Sequence, residues 1–215
     1  GRTQEIVYDL HQLSHAGEIP ELPIYVDSPL AVNVTEVFRM SPEYYDGETR
    51  AFIAESGNRD PFGFYRLRYV RSVEESKALN TAPNPMIIIS ASGMAEAGRV
   101  QHHLLHAIED PRNAVLIVGW QAPYTLGRRI ADREPQVRIF GDSYELRAEV
   151  RTFYGYSAHA DRDDLLTWAA DGVESVQSAF VVHGDVKPAQ ALAEGLTSLG
   201  YRRVVVPSRG DKVEV

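Results

Sequence analysis

The sequence predicts an α/β fold, with a mostly parallel sheet flanked by helices over most of its length. Two observations carry this. The strand-like segments are almost continuously apolar, as in "NPMIIISAS" at 84–92 and "NAVLIVGW" at 113–120, the pattern of strands covered on both faces. They alternate with amphipathic helical segments, the order of elements found in layered α/β proteins. A third observation bounds the prediction: after Pro135 the strand segments turn to apolar–polar alternation.

The elements follow in order. Residues 3–15 read as a helix whose apolar face is Ile6, Val7, Leu10 and Leu13, ended by Gly17. "LPIYVDSP" at 22–29 reads as a buried strand stopped by Pro29, and "LAVNVTEVFRM" at 30–40 as a second helix. The uneven stretch 41–66 holds a helix at about 45–56 and then an irregular, aromatic-rich loop. "RLRYV" at 66–70 is a short strand, and the helix "SVEESKALN" starts with Ser72 as cap and Glu75 three residues on. After the strand 84–92 come a helix at about 96–109, the strand 113–120 and the short helix "TLGRRIAD". Beyond Pro135, segments 136–140 and 144–152 read as two alternating strands joined by "GDS". A helix at 161–170, a strand at 178–182, a helix at 187–199 and the strand "RRVVVP" complete the chain. A soft boundary near 130–135 gives two parts, 1–130 and 131–215, and the second has too few strands to close a core comfortably.

The bulk properties narrow the function classes. No apolar run approaches bilayer length, no secretory signal pattern is visible, and Gly1 in place of a starting Met suggests a piece of a longer chain. The absence of cysteine excludes disulfides and thiolate chemistry within the chain and fits a reducing, cytoplasmic compartment. At a formal charge of −8, nucleic-acid binding requires a local positive cleft. The basic residues are nineteen arginines against three lysines, and arginine is the better bidentate phosphate ligand.

Several constellations suit chemistry, each beside a plainer alternative. In "YGYSAHADRDDLLTWAA" His159 precedes a helix that Asp161 caps and whose positive end Asp163 and Asp164 favour. In "AFVVHGDV" His183 follows an apolar strand, before Gly184 and Asp185. Ligands collect at the carboxyl ends of such strands, and imidazole both binds zinc and donates protons. The alternative is a pair of surface or capping histidines, since a gap of 24 residues is no metal signature. "ISASGMAEAGRVQHHL" is an anion cradle, with Ser90, Ser92 and Gly93 before a helix carrying Arg99, or else a tight packing turn. His102, His103 and His106 on that helix suit core packing or a polar face better than a metal. In "GWQAPYTLGRRI", Gln121, Thr125, Arg128 and Arg129 can hold phosphates or cover an ordinary solvated helix. Asp27 faces a cleft or caps the helix that Pro29 opens. The aromatics Tyr44, Tyr45, Phe62, Phe64, Tyr65 and Tyr69 can stack bases, but filling a small irregular core is the favoured reading.

Taken together, "GRTQEIVYDL", "PIYVDSPLA", "ISASGMAEAGR", "VLIVGWQAPYTLGR", "YSAHAD" and "VVHGD" resemble the β-CASP branch of the metallo-β-lactamase superfamily over essentially the whole chain. That family comprises zinc-dependent nucleases acting mostly on RNA, among them relatives of the mRNA 3′-end cleavage and polyadenylation specificity endonuclease. The resemblance implies that His159 sits beside the scissile phosphate as proton donor and that His183 is a zinc ligand. It implies that Ser90, Ser92, Gly93, Arg99, Thr125 and Arg128 line the nucleic-acid cleft. Asp27 matches the aspartate of the family's "DSP" and is grouped with the catalytic residues, without a firm role. Residues 1–130 match the β-CASP domain and 131–215 the last part of the metallo-β-lactamase αββα domain.

The family's HxHxDH zinc motif, a further histidine and a bridging aspartate have no counterpart in the chain. The two zinc ions are therefore expected only together with an upstream metallo-β-lactamase segment, and the chain alone is expected to be inactive. The implied partner is single-stranded RNA, with no membrane. An apolar edge or face left by the terminal strands favours self-association, and a homodimer is left open. Ala122–Pro123–Tyr124 stands where the family has "EGTLGR", which is expected to narrow the phosphate path. Two other readings stay open: a non-catalytic RNA-binding or processing-complex subunit, and a small-molecule metallohydrolase on the same scaffold.

Overall fold

A computed structural model describes residues 1–157 and 159–212. The chain divides into two compact units, Gly1–Ser157 and Ala158–Val215.

The first unit begins with α1 (Arg2–His15), β1 (Ile24–Asp27), α2 (Pro29–Met40), a 3-10 turn at Pro42–Tyr44, and α3 (Gly47–Ser56). β2 (Leu67–Tyr69), α4 (Val73–Leu79), β3 (Ile87–Ser90), α5 (Arg99–Ala107), β4 (Ala114–Val118) and α6 (Leu126–Ala131) follow. β5 (Gln136–Ile139), β6 (Asp142–Glu145) and β7 (Glu149–Phe153) end it. β2, β1 and β3 form a parallel sheet in that order, with Val26 paired to Tyr69 on one side and Ile89 on the other. β4 pairs in parallel with β7, and β5 with β6 is an antiparallel hairpin. The α/β expectation with mostly parallel pairing holds.

One core cluster, centred on Val7, Val26, Ala31 and Phe62, joins α1 and α2 to the three-stranded sheet. A second gathers Leu104, Ile108, Ile117, Ile130, Val137 and Val150 from α5, α6 and the strands beside them. Among the six aromatics, Phe62, Phe64, Tyr45 and Tyr69 pack in or against the first cluster, while Tyr44 and Tyr65 are exposed.

Three expectations are corrected. The deeply buried positions of α1 are Gln4, Val7 and His11, with Ile6, Leu10 and Leu13 only half-buried. Polar residues replace apolar ones there because each finds a partner. Gln4 donates to the Ala31 carbonyl (3.2 Å) and to Thr35 (2.9 Å), and His11 bonds the Pro61 carbonyl (3.0 Å) and stacks on Phe64. The helix expected from 96 starts at Arg99, because Gly98 lies at φ 84°, outside helical space. Segment 144–152 is not one strand. Leu146 N–H turns to the Pro135 carbonyl, and Arg147 and Ala148 N–H both turn to Ile108, so the hairpin ends at Glu145 and β7 departs to β4. That parallel pair leaves Leu116 and Phe153 exposed, unlike the covered strands that near-continuous apolar segments predict.

The second unit holds α7 (Arg162–Ala170), β8 (Ala179–Phe180), α8 (Val186–Leu199) and β9 (Val204–Val205), with β8 and β9 parallel. Both strands are shorter than expected. Ala169, Leu196 and Tyr201 are its core, and the Tyr201 hydroxyl donates to the Ala169 carbonyl at 2.8 Å.

Candidate nucleic-acid interface

Three loops at the carboxyl ends of parallel strands build the site of the first unit. The first follows β3 and is suspended from a buried charge cluster. Asp27, last residue of β1, is fully buried. Its Oδ1 accepts from Arg99 Nη1 (2.6 Å), and its Oδ2 from Ser76 Oγ (2.6 Å) and His103 Nε2 (2.6 Å). An ionised carboxylate can only accept, so the proton sits on His103 Nε2. The other ring nitrogen faces Asn80 Oδ1 at 2.9 Å. Arg99 and His103 are one turn apart on α5 and therefore reach the same carboxylate. Burial by itself raises the Asp27 carboxyl, but hydrogen bonds from Ser76, His103 and Arg99 and the arginine charge outweigh it, so the group lies below its ordinary range.

This fixes two points of geometry. Arg99 does not project as a free phosphate arm: besides Asp27 it donates to the Arg71 carbonyl at 2.9 Å, and its side chain is 18% exposed. Asp27 has both oxygens occupied and caps nothing, since Ser28 accepts the Ala31 N–H as cap of α2. The clamp instead holds both ends of loop 91–98, with Ser90 Oγ donating to the Asp27 carbonyl at 3.0 Å. Ser92 is half-buried and Gly93 exposed on that loop. A cavity of about 250 Å³ lies between residues 27–30, Ala91–Ser92 and 97–99.

The second loop follows β4. Thr125 caps α6, accepting the Arg128 N–H (3.2 Å) and donating to the Ala122 carbonyl (2.7 Å). The loop is stitched to the first: Gly127 N–H donates to the Met94 carbonyl at 2.9 Å, and Leu126 N–H to the Glu96 carboxylate. Arg128 is exposed and pairs through Nε with Asp132 at 2.7 Å. Tyr124, at φ 69°, is 92% exposed and stands in solvent.

The third loop, 154–157, follows β7 and is pinned to α1. The Tyr156 carbonyl accepts from Arg2 Nε (2.9 Å), and its hydroxyl donates to Asp9 (2.6 Å). Burial first, then the Asp9 hydrogen bond and the charges of Asp9 and Glu5, push the Tyr156 phenol up to about 12. Arg2 was not singled out from the sequence. The glycines beside it were the available signal: a Cβ on Gly119 would lie 3.0 Å from the guanidinium carbon, and one on Gly93 3.9 Å from Nη1.

In the second unit His159 is exposed, two residues before Asp161, which caps α7 by accepting from Asp163 (2.8 Å) and Asp164 (2.9 Å). Ala158 of the "YSAHAD" motif lies outside the described residues. His183 is also exposed, at φ 63°, two residues before Asp185 at the start of α8. Leu166 lies against Gly195, and the end of α7 meets Tyr201, so α7 and α8 run in the same direction. Both histidines therefore precede helix starts at one end of the pair, with α8 beginning about 7 Å further out. Among the described residues no group of three or more His, Asp or Glu is placed to hold a metal ion. Among them, too, no helix is long and apolar enough to cross a membrane.

Loops gathered at the carboxyl ends of parallel strands are where ligands collect in α/β proteins. The chain belongs to the β-CASP family: the Beta-Casp domain family matches residues 3–130, and the Zn-dependent metallo-hydrolase RNA specificity domain matches residues 143–207. Over 214 residues it is 39% identical to Ribonuclease TTHA0252 of Thermus thermophilus, covering 100% of this chain and 48% of that protein. It is 30% identical over 214 residues to the transcription termination factor FttA of Methanosarcina mazei, covering 97% of this chain and 33% of that one. An RNase J-like protein of Methanocaldococcus jannaschii is 27% identical over 210 residues, 98% of this chain and 47% of that one. The chain thus spans a third to a half of the length of these relatives.

Proposed function

We propose that the chain is part of a zinc-dependent ribonuclease that hydrolyses phosphodiester bonds of single-stranded RNA. The observation that carries this is the stitched set of loops beside Ser90, Ser92, Gly93, Thr125 and Arg128, in a chain 39% identical throughout to a protein named a ribonuclease. In this reading residues 1–130 are the β-CASP domain and 131–215 the last part of the metallo-β-lactamase domain, in a cytoplasmic protein. His159 protonates the leaving oxygen or holds the phosphate, and His183 offers one of the metal ligands, the rest coming from residues outside these 215. Asp27 and Arg99 act by shaping the loop that meets the phosphate backbone. The test is cleavage of a labelled single-stranded RNA, with zinc, by the full-length protein and its His159→Ala variant. Loss of about 100-fold or more in rate is expected for a proton donor. Equal rates sink the role of His159, and no cleavage by the unaltered protein sinks the nuclease reading.

A second reading is favoured by one observation, the 30% identity over 214 residues to a protein named a transcription termination factor. It is an RNA-binding subunit without catalysis, and binding of the same RNA without cleavage by the unaltered protein is its signature.

A further inference from the structure

Arg2 is an arginine of the first unit that holds a backbone carbonyl by one nitrogen and meets no carboxylate among the described residues. Arg39, Arg99 and Arg128 each pair with a carboxylate. Arg2 forms no ion pair among the described residues. Its one hydrogen bond there runs from Nε to the Tyr156 carbonyl at 2.9 Å, which fixes the plane of the guanidinium and leaves Nη1 and Nη2 without an acceptor. The backbone has been cleared around it. Gly119 lies at φ 134°, where side chains are strained, and a Cβ there would come within 3.0–3.1 Å of the guanidinium. A Cβ on Gly93, in the loop after β3, would lie in ordinary contact with Nη1, at 3.9 Å. A guanidinium held at one nitrogen, half-buried, with its fork open where three loops meet, is prepared for an oxyanion. The nearby carboxylates, Asp9 on the Tyr156 hydroxyl and Glu5 exposed on the first turn of α1, form no ion pair with it.

We propose that Arg2 binds a backbone phosphate of single-stranded RNA through Nη1 and Nη2, between the loops that follow β3, β4 and β7. The proposal rests on the RNA reading above and adds a binding residue to it. It also gives Tyr156 a purpose, since the residue that orients Arg2 lies three positions ahead of His159 in the chain.

The test is fluorescence anisotropy of a labelled oligouridylate with full-length protein in chelator, so that binding is read without cleavage. Arg2→Gln is expected to weaken binding about 10-fold and to flatten the log K against log salt plot by about 0.7, one phosphate contact to a single strand. Gly119→Ala keeps the arginine but displaces its fork. It is expected to weaken binding similarly, with the double variant no weaker than Arg2→Gln alone. Unchanged affinity, or weaker binding at unchanged salt slope, in Arg2→Gln overturns the proposal, the second because it is the mark of a structural role. Competition by inorganic phosphate beyond that of chloride at equal ionic strength overturns the polynucleotide assignment in favour of a free anion. If the unaltered protein binds no oligouridylate, it is the RNA reading itself that fails.

Discussion

At the scale of single residues, the fully buried Asp27 carboxylate organises the site, and it does so through charge. It faces a guanidinium and an imidazole, and all three depend on one another. Asp27→Asn leaves Arg99 with a half-satisfied charge in a site where its side chain is 18% exposed. Breaking such a pair costs about 3 kcal/mol, measurable as a lower urea midpoint. The pH dependence follows from the lowered carboxyl. A depressed folded-state value stabilises above the ordinary carboxylate range, near pH 4, and that stability is lost as pH falls through the folded value. The unaltered protein is therefore expected to lose stability on acidification below about pH 4 more steeply than Asp27→Asn. Equal acid slopes count against an ionised Asp27. None of this cluster was legible beforehand. Asp27, Arg99 and His103 were each visible as candidates, but separations of 72 and 76 residues hid that they meet. The helical spacing of Arg99 and His103 was the usable clue, since two donors one turn apart can share a carboxylate.

At the scale of elements, what the sequence revealed was local chemistry. Ser72 with Glu75 forms the capping box that their spacing implies, and Asp161 caps α7 as read, with Asp164 closing a box on it. The β5–β6 hairpin follows from alternation and a glycine turn. The partner of β7 did not follow, because residues 149–153 carry an alternation that fits a hairpin arm as well as a parallel neighbour. Only the capture of residues 147 and 148 by the Ile108 carbonyl separates the two outcomes. Contact between α6 and loop 91–98 was equally hidden, and it makes a prediction. A Cβ on Gly127 would lie 1.9 Å from Gln121 Oε1 and 3.0 Å from the Met94 carbonyl. The glutamine can swing away, but the carbonyl belongs to the loop that Gly127 N–H bonds. Gly127→Ala should cost about 2 kcal/mol through overpacking, read by urea denaturation, and should weaken oligouridylate binding as the loops part. Unaltered stability means that the loops have slack the packing does not suggest.

At the scale of the molecule, charge decides how the proposed RNA partner would be held. A chain at −8 cannot attract a polyanion over its whole surface, so affinity has to come from a few placed cations. Several arginines of the first unit do not qualify. Arg39, Arg66, Arg112, Arg147 and Arg151 each face a carboxylate within 4 Å, which cancels their field beyond a Debye length. Around the three loops the two cations taken as phosphate contacts are Arg2, without an ion pair, and Arg128, exposed and able to exchange Asp132 for a phosphate, beside the half-buried Arg129. Each neutralised phosphate of a single strand contributes about −0.7 to the slope of log K against log salt, so these two give about −1.4. Oligouridylate binding is expected to show a slope near that value, shallow for a nucleic-acid protein, with Arg128→Gln reducing it further. A slope steeper than about −4 requires some six contacts, more than these loops supply, and moves the interface to a basic surface elsewhere. The measurement therefore discriminates between sites as well as between affinities, because counterion release counts the phosphates and the loops limit how many there can be.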